Sequence, residues 1–319
     1  MRYVEDLYEY EKLKWHLLKK YASCTIEEEL KGCTKKNKKG TYCQIKNQTF
    51  INLSEELNKA PPLSNELKLI RGIGERREKK LKDRGIKTIT DLIEKDIFSS
   101  DAEKIQNNIK NNNSRVIYNR IKKLPDTTIK NYLSLINMMG EDKILFLDIE
   151  SLGLNDEQIF LIGTGHFLKE KKDIFLIEQF LARSDKEEEA LLTQFKAVIN
   201  NYEGVISFNG KRFDENMLKK RCEKFGISDL NFPEAHIDLL YLVRRKWGEN
   251  LKNCKLSTVE RSILDIERKN DPPGALIPHF YDFYKKNKNI GPLIPIIQHN
   301  ANDLTVLPQL IRTLYKKDL

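Results

Sequence analysis

Ile144-Leu145-Phe146-Leu147-Asp148-Ile149-Glu150 is an apolar run that ends by delivering two carboxylates. A short apolar run of this kind reads as a buried strand. Side chains at i and i+2 leave a strand on the same face, which puts Asp148 beside Glu150. Two adjacent carboxylates repel unless a cation lies between them, and hard oxygen ligands suit Mg²⁺ or Mn²⁺. The bland alternative is a strand end that frays into solvent, where the acids are harmless. The surrounding chain has to decide between the two.

From Asp142 onward, strand-like runs occur at Ile144–Ile149, Ile159–Gly163 and Ile174–Ile177, separated by short polar turns. This spacing predicts an antiparallel meander. A helix follows, with Ser184 and Glu187 as a capping box and Ala190, Leu191, Phe195 and Val198 as its buried stripe. Gly204–Phe208 reads as the next strand, Asp214–Lys224 as a helix, and Ala235–Leu239 as a fifth strand or strand end. Ser257 and Glu260 form a second capping box, and the remainder reads as helical. Three antiparallel strands and then alternating helices and strands is the order of the ribonuclease-H-like α/β fold. The expected architecture is a mixed sheet flanked by helices, with a smaller, mainly helical domain before it.

The chain has 319 residues, enough for two domains, and its 39% hydrophobic and 32% charged content describes a folded, surface-rich protein. No apolar run reaches the ~18 residues a membrane span needs, and the N-terminus lacks a signal-peptide core. No membrane association and a cytoplasmic location are therefore expected. Residues 1–140 carry 29 Lys and Arg against 19 Asp and Glu, whereas residues 141–319 carry 27 against 28. Basic excess confined to one part of the chain points to a polyanion held there, against the alternative of a lysine-rich solvated surface. Five cysteines at irregular spacing suit free thiols in a reducing compartment. Cys24, Cys33 and Cys43, with His16 nearby, contain no Cys-x-x-Cys pair and make a weak zinc or iron–sulfur candidate.

Residues 1–60 read as one or two polar helices, a Lys/Gly/Asn loop from Lys31-Gly32 to Gly40, and a short strand. Ala60-Pro61-Pro62 breaks the chain, giving an N-terminal region of unreadable role (1–62), a small domain (63–140) and a larger one (141–319). The small domain contains Leu69-Ile70-Arg71-Gly72-Ile73-Gly74-Glu75-Arg76-Arg77. A Gly-Ile-Gly turn lets two short helices pack closely and leaves backbone N–H groups free at the start of the second. Gly72 and Gly74 would thus offer a phosphate site that Arg76, Arg77, Lys79 and Lys80 reinforce. Gly85 reads as a left-handed helix cap and Thr90 as the N-cap of the next helix. The stretch resembles the helix-hairpin-helix of sequence-tolerant nucleic-acid binders; a hairpin used only for packing is the alternative.

Three further residues, from two stretches, join Asp148 and Glu150. Asn209-Gly210-Lys211-Arg212-Phe213-Asp214 follows a strand directly, which places Asp214 at a strand's C-terminal end, where α/β sheets build their sites. His299-Asn300-Ala301-Asn302-Asp303 lies in a helix, and the spacing i, i+4 puts His299 and Asp303 on one face. Each residue has an ordinary structural explanation alone; together, and in this order, they form a pattern. The pattern resembles the three motifs of the DEDD (DnaQ-like) exonucleases. The closer likeness is to the YprB-like ribonuclease-H-like family. It is carried by His236-Ile237-Asp238-Leu239-Leu240, Arg244-Arg245-Lys246-Trp247, Leu256-Ser257-Thr258-Val259-Glu260, Asp271-Pro272-Pro273-Gly274 and His299-Asn300-x-x-Asp303. The resemblance covers residues 142–315, and several members carry a helix-hairpin-helix before the nuclease domain. In one respect the chain departs from the pattern: its histidine stands at the spacing usual for tyrosine-type members.

The resemblance implies a 3′→5′ exonuclease acting on single-stranded nucleic acid, DNA favoured and RNA open. Asp148, Glu150, Asp214 and Asp303 would hold two divalent cations, Mg²⁺ or Mn²⁺, and His299 would serve as general base. His236 and Asp238 read either as an extension of that site or as a strand-end pair supporting a helix. Two alternatives stay open: a non-catalytic nucleic-acid-binding protein of the same fold, and a structure-selective endonuclease.

Overall fold

The computed structural model describes residues 2–153 and 156–317, with side chains described from Tyr10 onward. Seven strands make one sheet: β1 (Cys33–Asn37), β2 (Gly40–Phe50), β3 (Ile144–Ser151), β4 (Ile159–Phe167), β5 (Ile174–Leu181), β6 (Gly204–Ser207) and β7 (Ala235–Asp238), in the order β1-β2-β5-β4-β3-β6-β7. The first five positions of that order pair antiparallel, and β3-β6-β7 pair parallel. The expected meander is β3-β4-β5. The segment read as a Lys/Gly/Asn loop instead contains β1, an exposed edge strand whose lysines discourage a further strand from adding. With β2 it extends the sheet past β5, so part of residues 1–62 shares the sheet of the larger C-terminal region.

Alternation along β3 decides what each face carries. Leu145, Leu147 and Ile149 enter the core formed with the Glu188–Ile199 and Asp214–Lys224 helices. Ile144 and Phe146 face the opposite core, which they share with Leu304, Leu307 and Ile311 of the Leu293–Lys316 helix. Asp148 and Glu150 continue the second set, so they emerge under that long helix. The same core runs on into the helices between residues 63 and 139, through Leu67, Ile89, Ile117 and Leu133. The long helix sits close to the sheet. A Cβ at Gly163 would come within 2.0 Å of Asn300 Oδ1, so only glycine permits this approach.

Several local expectations are corrected. Glu187 does not complete a capping box with Ser184; its carboxylate takes the Arg183 N–H at 2.7 Å and the Arg183 guanidinium. The cap before Leu92 is Thr88, reciprocated by Asp91, while Thr90 accepts from Gln106. Ser257 lies inside the Leu256–Val259 turn, so Glu260 is not its capping partner. Gly85 does adopt the left-handed conformation, with φ of 81°. Cys24, Cys33 and Cys43 are free thiols. Among the described residues no helix is long and apolar enough to cross a membrane.

Candidate active site

Parallel pairing of β3, β6 and β7 brings their C-terminal ends to one edge of the sheet. Asp148 and Glu150 arrive there on β3. After β6 the chain turns sharply at Asn209, whose φ of 66° suits an asparagine. Gly210 then passes so close to Ser207 Oγ and Asp214 Oδ2 that a Cβ would lie 2.6 and 2.8 Å from them. That turn aims Asp214, the first residue of its helix, back at the acids of β3. Asp238 and His236 brace it from β7. Asp238 accepts from the backbone N–H groups of Asn209 (2.7 Å), Lys211 (3.2 Å) and Leu240 (3.1 Å). His236 bonds Ser207 Oγ and Glu215 Oε2, each at 2.7 Å. Of the two readings open for this pair, the strand-end support is the one seen.

The Leu293–Lys316 helix closes the site from above. Asn300 is fully buried and donates from Nδ2 to Asp148 Oδ2 at 2.7 Å and to Asp148 O at 3.2 Å. Its Oδ1 accepts from Gln179 Nε2 at 2.9 Å. This lattice across Gly163 orients the Asp148 carboxylate. One turn of helix puts His299 and Asp303 on the same face, with His299 Nε2 3.8 Å from Asp303 Oδ2. The other imidazole nitrogen, Nδ1, bonds Asp271 Oδ1 at 2.7 Å. Arg268 meets Asp303 Oδ1 at 2.6 Å, Asp271 Oδ2 at 2.9 Å and Glu260 Oε1 (from Nε) at 2.9 Å. Glu260 is delivered by a single π turn, Glu260–Leu264, that widens the end of the preceding helix.

The electrostatics follow from burial and crowding. Burial, then the charges of Asp303, Glu150 and Asp214, hold Asp148 well above the ordinary carboxylate range. Burial pushes Glu150 up to about 8, with Asp303 and Asp271 adding to the effect and His299 opposing it. Asp214 is raised by burial and by Asp238, Glu150 and Asp303. Burial lowers His299, but Asp303, the bond from Asp271 and Glu150 outweigh it and raise the imidazole to about 9. Asp148, Glu150 and Asp214 are therefore each raised by burial and by neighbouring charge, and Asp303 contributes its charge to all three. Carboxylate oxygens are the donor type that hard divalent cations take. Among the described residues no three His, Cys, Asp or Glu donors already converge on one ion position.

Of the residues expected at the site, Asp148, Glu150, Asp214, His299 and Asp303 lie near enough to act on one another's charge, without the acids closing on a single ion position. Sequence reading missed Asn300, Gln179 and Arg268. Asn300 had a signal, since it sits between His299 and Asp303 on a buried helix; Arg268, in an irregular loop, had none. Gly72, Gly74, Arg76, Arg77 and Lys80 line a separate open hollow of about 470 Å³. Gly72 has φ of 90°, and Arg77 Nη1 donates back to Gly72 O at 2.5 Å, so this arginine also folds the loop. Arg76 and Lys80 are exposed there, and Lys79 is exposed on the same helix outside the lining.

Comparison with known proteins agrees with the topology. Over 184 residues the chain is 30% identical to the uncharacterized protein YprB of Bacillus subtilis (strain 168), covering 56% of this chain and 44% of that one. The chain thus spans less than half the length of this relative. The sequence pattern of the RNase_H superfamily matches residues 145–315, from the start of β3 to the end of the last helix. With more than half of its length so matched, over the sheet edge and helix that build the site, the chain belongs to the ribonuclease H superfamily, whose fold points to nuclease chemistry on nucleic acid.

Proposed function

We propose that this protein is a metal-dependent nuclease that hydrolyses single-stranded nucleic acid from the 3′ end, with DNA the favoured substrate. The observation that supports the reading is the group of acids Asp148, Glu150, Asp214 and Asp303, two buried and two half-buried, in which Asp148, Glu150 and Asp214 are raised by their neighbours' charge. These four residues would hold two divalent cations, Mg²⁺ or Mn²⁺. When bound, such cations lower the pKa of water and stabilise the charge that develops on phosphate and leaving oxygen. Neutralised acids would also release the field that keeps His299 protonated, returning its imidazole toward the ordinary range near 6.5. His299 Nε2 then takes the proton of the water that attacks phosphorus. The P–O3′ bond breaks and the departing oxygen takes a proton from solvent, leaving a free 3′-hydroxyl on the shortened strand and a 5′-phosphate on the released nucleotide. Asp271 positions the imidazole through Nδ1, and Asn300 positions Asp148. The hairpin bearing Gly72, Gly74, Arg76, Arg77, Lys79 and Lys80 would hold the backbone of adjacent nucleic acid.

End-labelled DNA and RNA strands, with free or blocked 3′ ends, test the proposal in Mg²⁺ and in Mn²⁺. Stepwise shortening from free 3′ ends, lost in Asp148→Ala, is the expected result. Activity that survives Asp148→Ala disposes of this site, and cleavage of a circular single strand makes the enzyme an endonuclease. One observation favours a second reading. Arg268 supplies the protein's own cation to Asp303, as a binding protein without catalysis would do permanently. Calorimetric titration separates them: divalent uptake that disappears in Asp148→Asn supports the enzyme, and no uptake supports the binder.

A further inference from the structure

Beside the Asn209–Asp214 turn, where the helical region meets β7, lies a hollow of about 250 Å³ lined by Tyr118, Lys122, Tyr132, Lys211, Tyr241 and Arg245, among others. Its charge is unbalanced. Lys211 Nζ donates to neutral oxygens, Tyr118 Oη at 2.7 Å and His236 O at 3.4 Å. Arg245 likewise donates to a carbonyl, that of Thr127. Lys122 is exposed at the rim. The carboxylate in the lining, Asp238, already accepts three backbone N–H groups. Burial, with Lys122 next, holds the Lys211 ammonium below its usual range, a sign of positive charge gathered in a partly dry space.

The aromatic component is equally specific. Tyr241 is 55% exposed, one of the few large apolar side chains left open to solvent among the described residues. A ring presented to solvent beside cations is the arrangement that stacks a base while its phosphate is held. The volume falls below the range of drug-sized ligand sites, so the hollow suits one nucleotide and not a duplex. Its position connects it to the chemistry. Lys211 stands three residues before Asp214, and Asp238 braces the same turn.

We propose that this hollow is a nucleotide subsite for the single strand engaged at the carboxylate cluster, with Lys122, Lys211 and Arg245 facing a backbone phosphate and Tyr241 stacked on the base. The assignment rests on the nucleic-acid reading above and makes the interface between the helical region and the sheet part of the substrate path. Fluorescence anisotropy of a short labelled single strand, measured with the full chain in EDTA over a range of salt, tests it without turnover. Tyr241→Ala is expected to weaken binding about tenfold, and Tyr241→Phe to restore it, because stacking needs the ring and not the hydroxyl. Lys122→Ala is expected to reduce the salt slope by about one. Both positions are exposed, so circular dichroism should show the fold retained. Wild-type affinity and slope in Tyr241→Ala and Lys122→Ala would overturn the subsite, as would no binding by the wild type. Cleavage assays on the same proteins keep the two readings apart. Binding that responds to these variants without cleavage by the wild type would sink the nuclease and leave the subsite; cleavage and binding indifferent to them would do the reverse.

Discussion

Raising the pH of the metal-free protein from 4.5 to 8 removes a proton from Glu150 that the fold prefers to keep. A group whose affinity for protons rises on folding makes the native state the better proton binder between its two pKa values. Stability is therefore full below the unfolded value and falls as pH climbs through the folded one. His299 has the same sign, with its window from 6.5 to about 9. Each tenfold step in proton affinity is about 1.4 kcal/mol, so Glu150 alone corresponds to on the order of 5 kcal/mol. The two groups do not add, because ionised Glu150 beside protonated His299 is a favourable pair. These two groups together should cost about 3–5 kcal/mol, or roughly 5–10 °C in Tm for a chain of this size, and Asp148 and Asp214, raised in the same direction, deepen the loss. The assay is thermal unfolding in EDTA at closely spaced pH, repeated with Mg²⁺ or Mn²⁺. Divalent ions should restore the lost stability at the alkaline end, since they bind the native cluster and not the unfolded chain. Glu150→Gln should flatten the lower part of the decline. A wild-type profile flat across this window, with no response to divalent ions, would refute the claim that these acids crowd one another.

Gly163→Ala should destabilise by about 1–3 kcal/mol in urea unfolding, because the new methyl lands on the Asn300 amide, which cannot swing away without breaking its bonds to Gln179 and Asp148; unchanged stability would contradict the close helix approach. Arg221→Met should cost about 3–5 kcal/mol by the same measurement. It strands Glu188, whose partner guanidinium sits at 2.6 Å with both side chains nearly inaccessible. Arg76→Ala with Lys80→Ala should weaken nucleic-acid binding uniformly across sequences and reduce the salt slope by up to about two. A slope equal to that of the wild type would remove the hairpin from the nucleic-acid interface.

Local chemistry explains why some features were readable and others were not. The Ser184/Glu187 pattern has the spacing of a capping box, but a competing donor, Arg183, lies within reach and carries charge, so Glu187 goes to it. Ser257 and Glu260 mislead for a related reason: Arg268, eight residues beyond Glu260, claims that carboxylate. The edge strand β1 alternates no apolar residues, being exposed on nearly all its length, and so gives no periodic signal.

The sequence by itself determined the β3 carboxylate pair, the meander, the Asn209-Gly210 turn before Asp214 and the shared helical face of His299 and Asp303. Each depends on spacing within one element, where side-chain direction follows from backbone geometry alone. Only the tertiary structure decided that Asn300 locks Asp148 across Gly163, that Arg268 reaches Asp303, and that Lys211, Arg245 and Tyr241 share a hollow with the helical region. Those arrangements join residues tens to more than a hundred positions apart, and the packing that joins them leaves no trace in local periodicity.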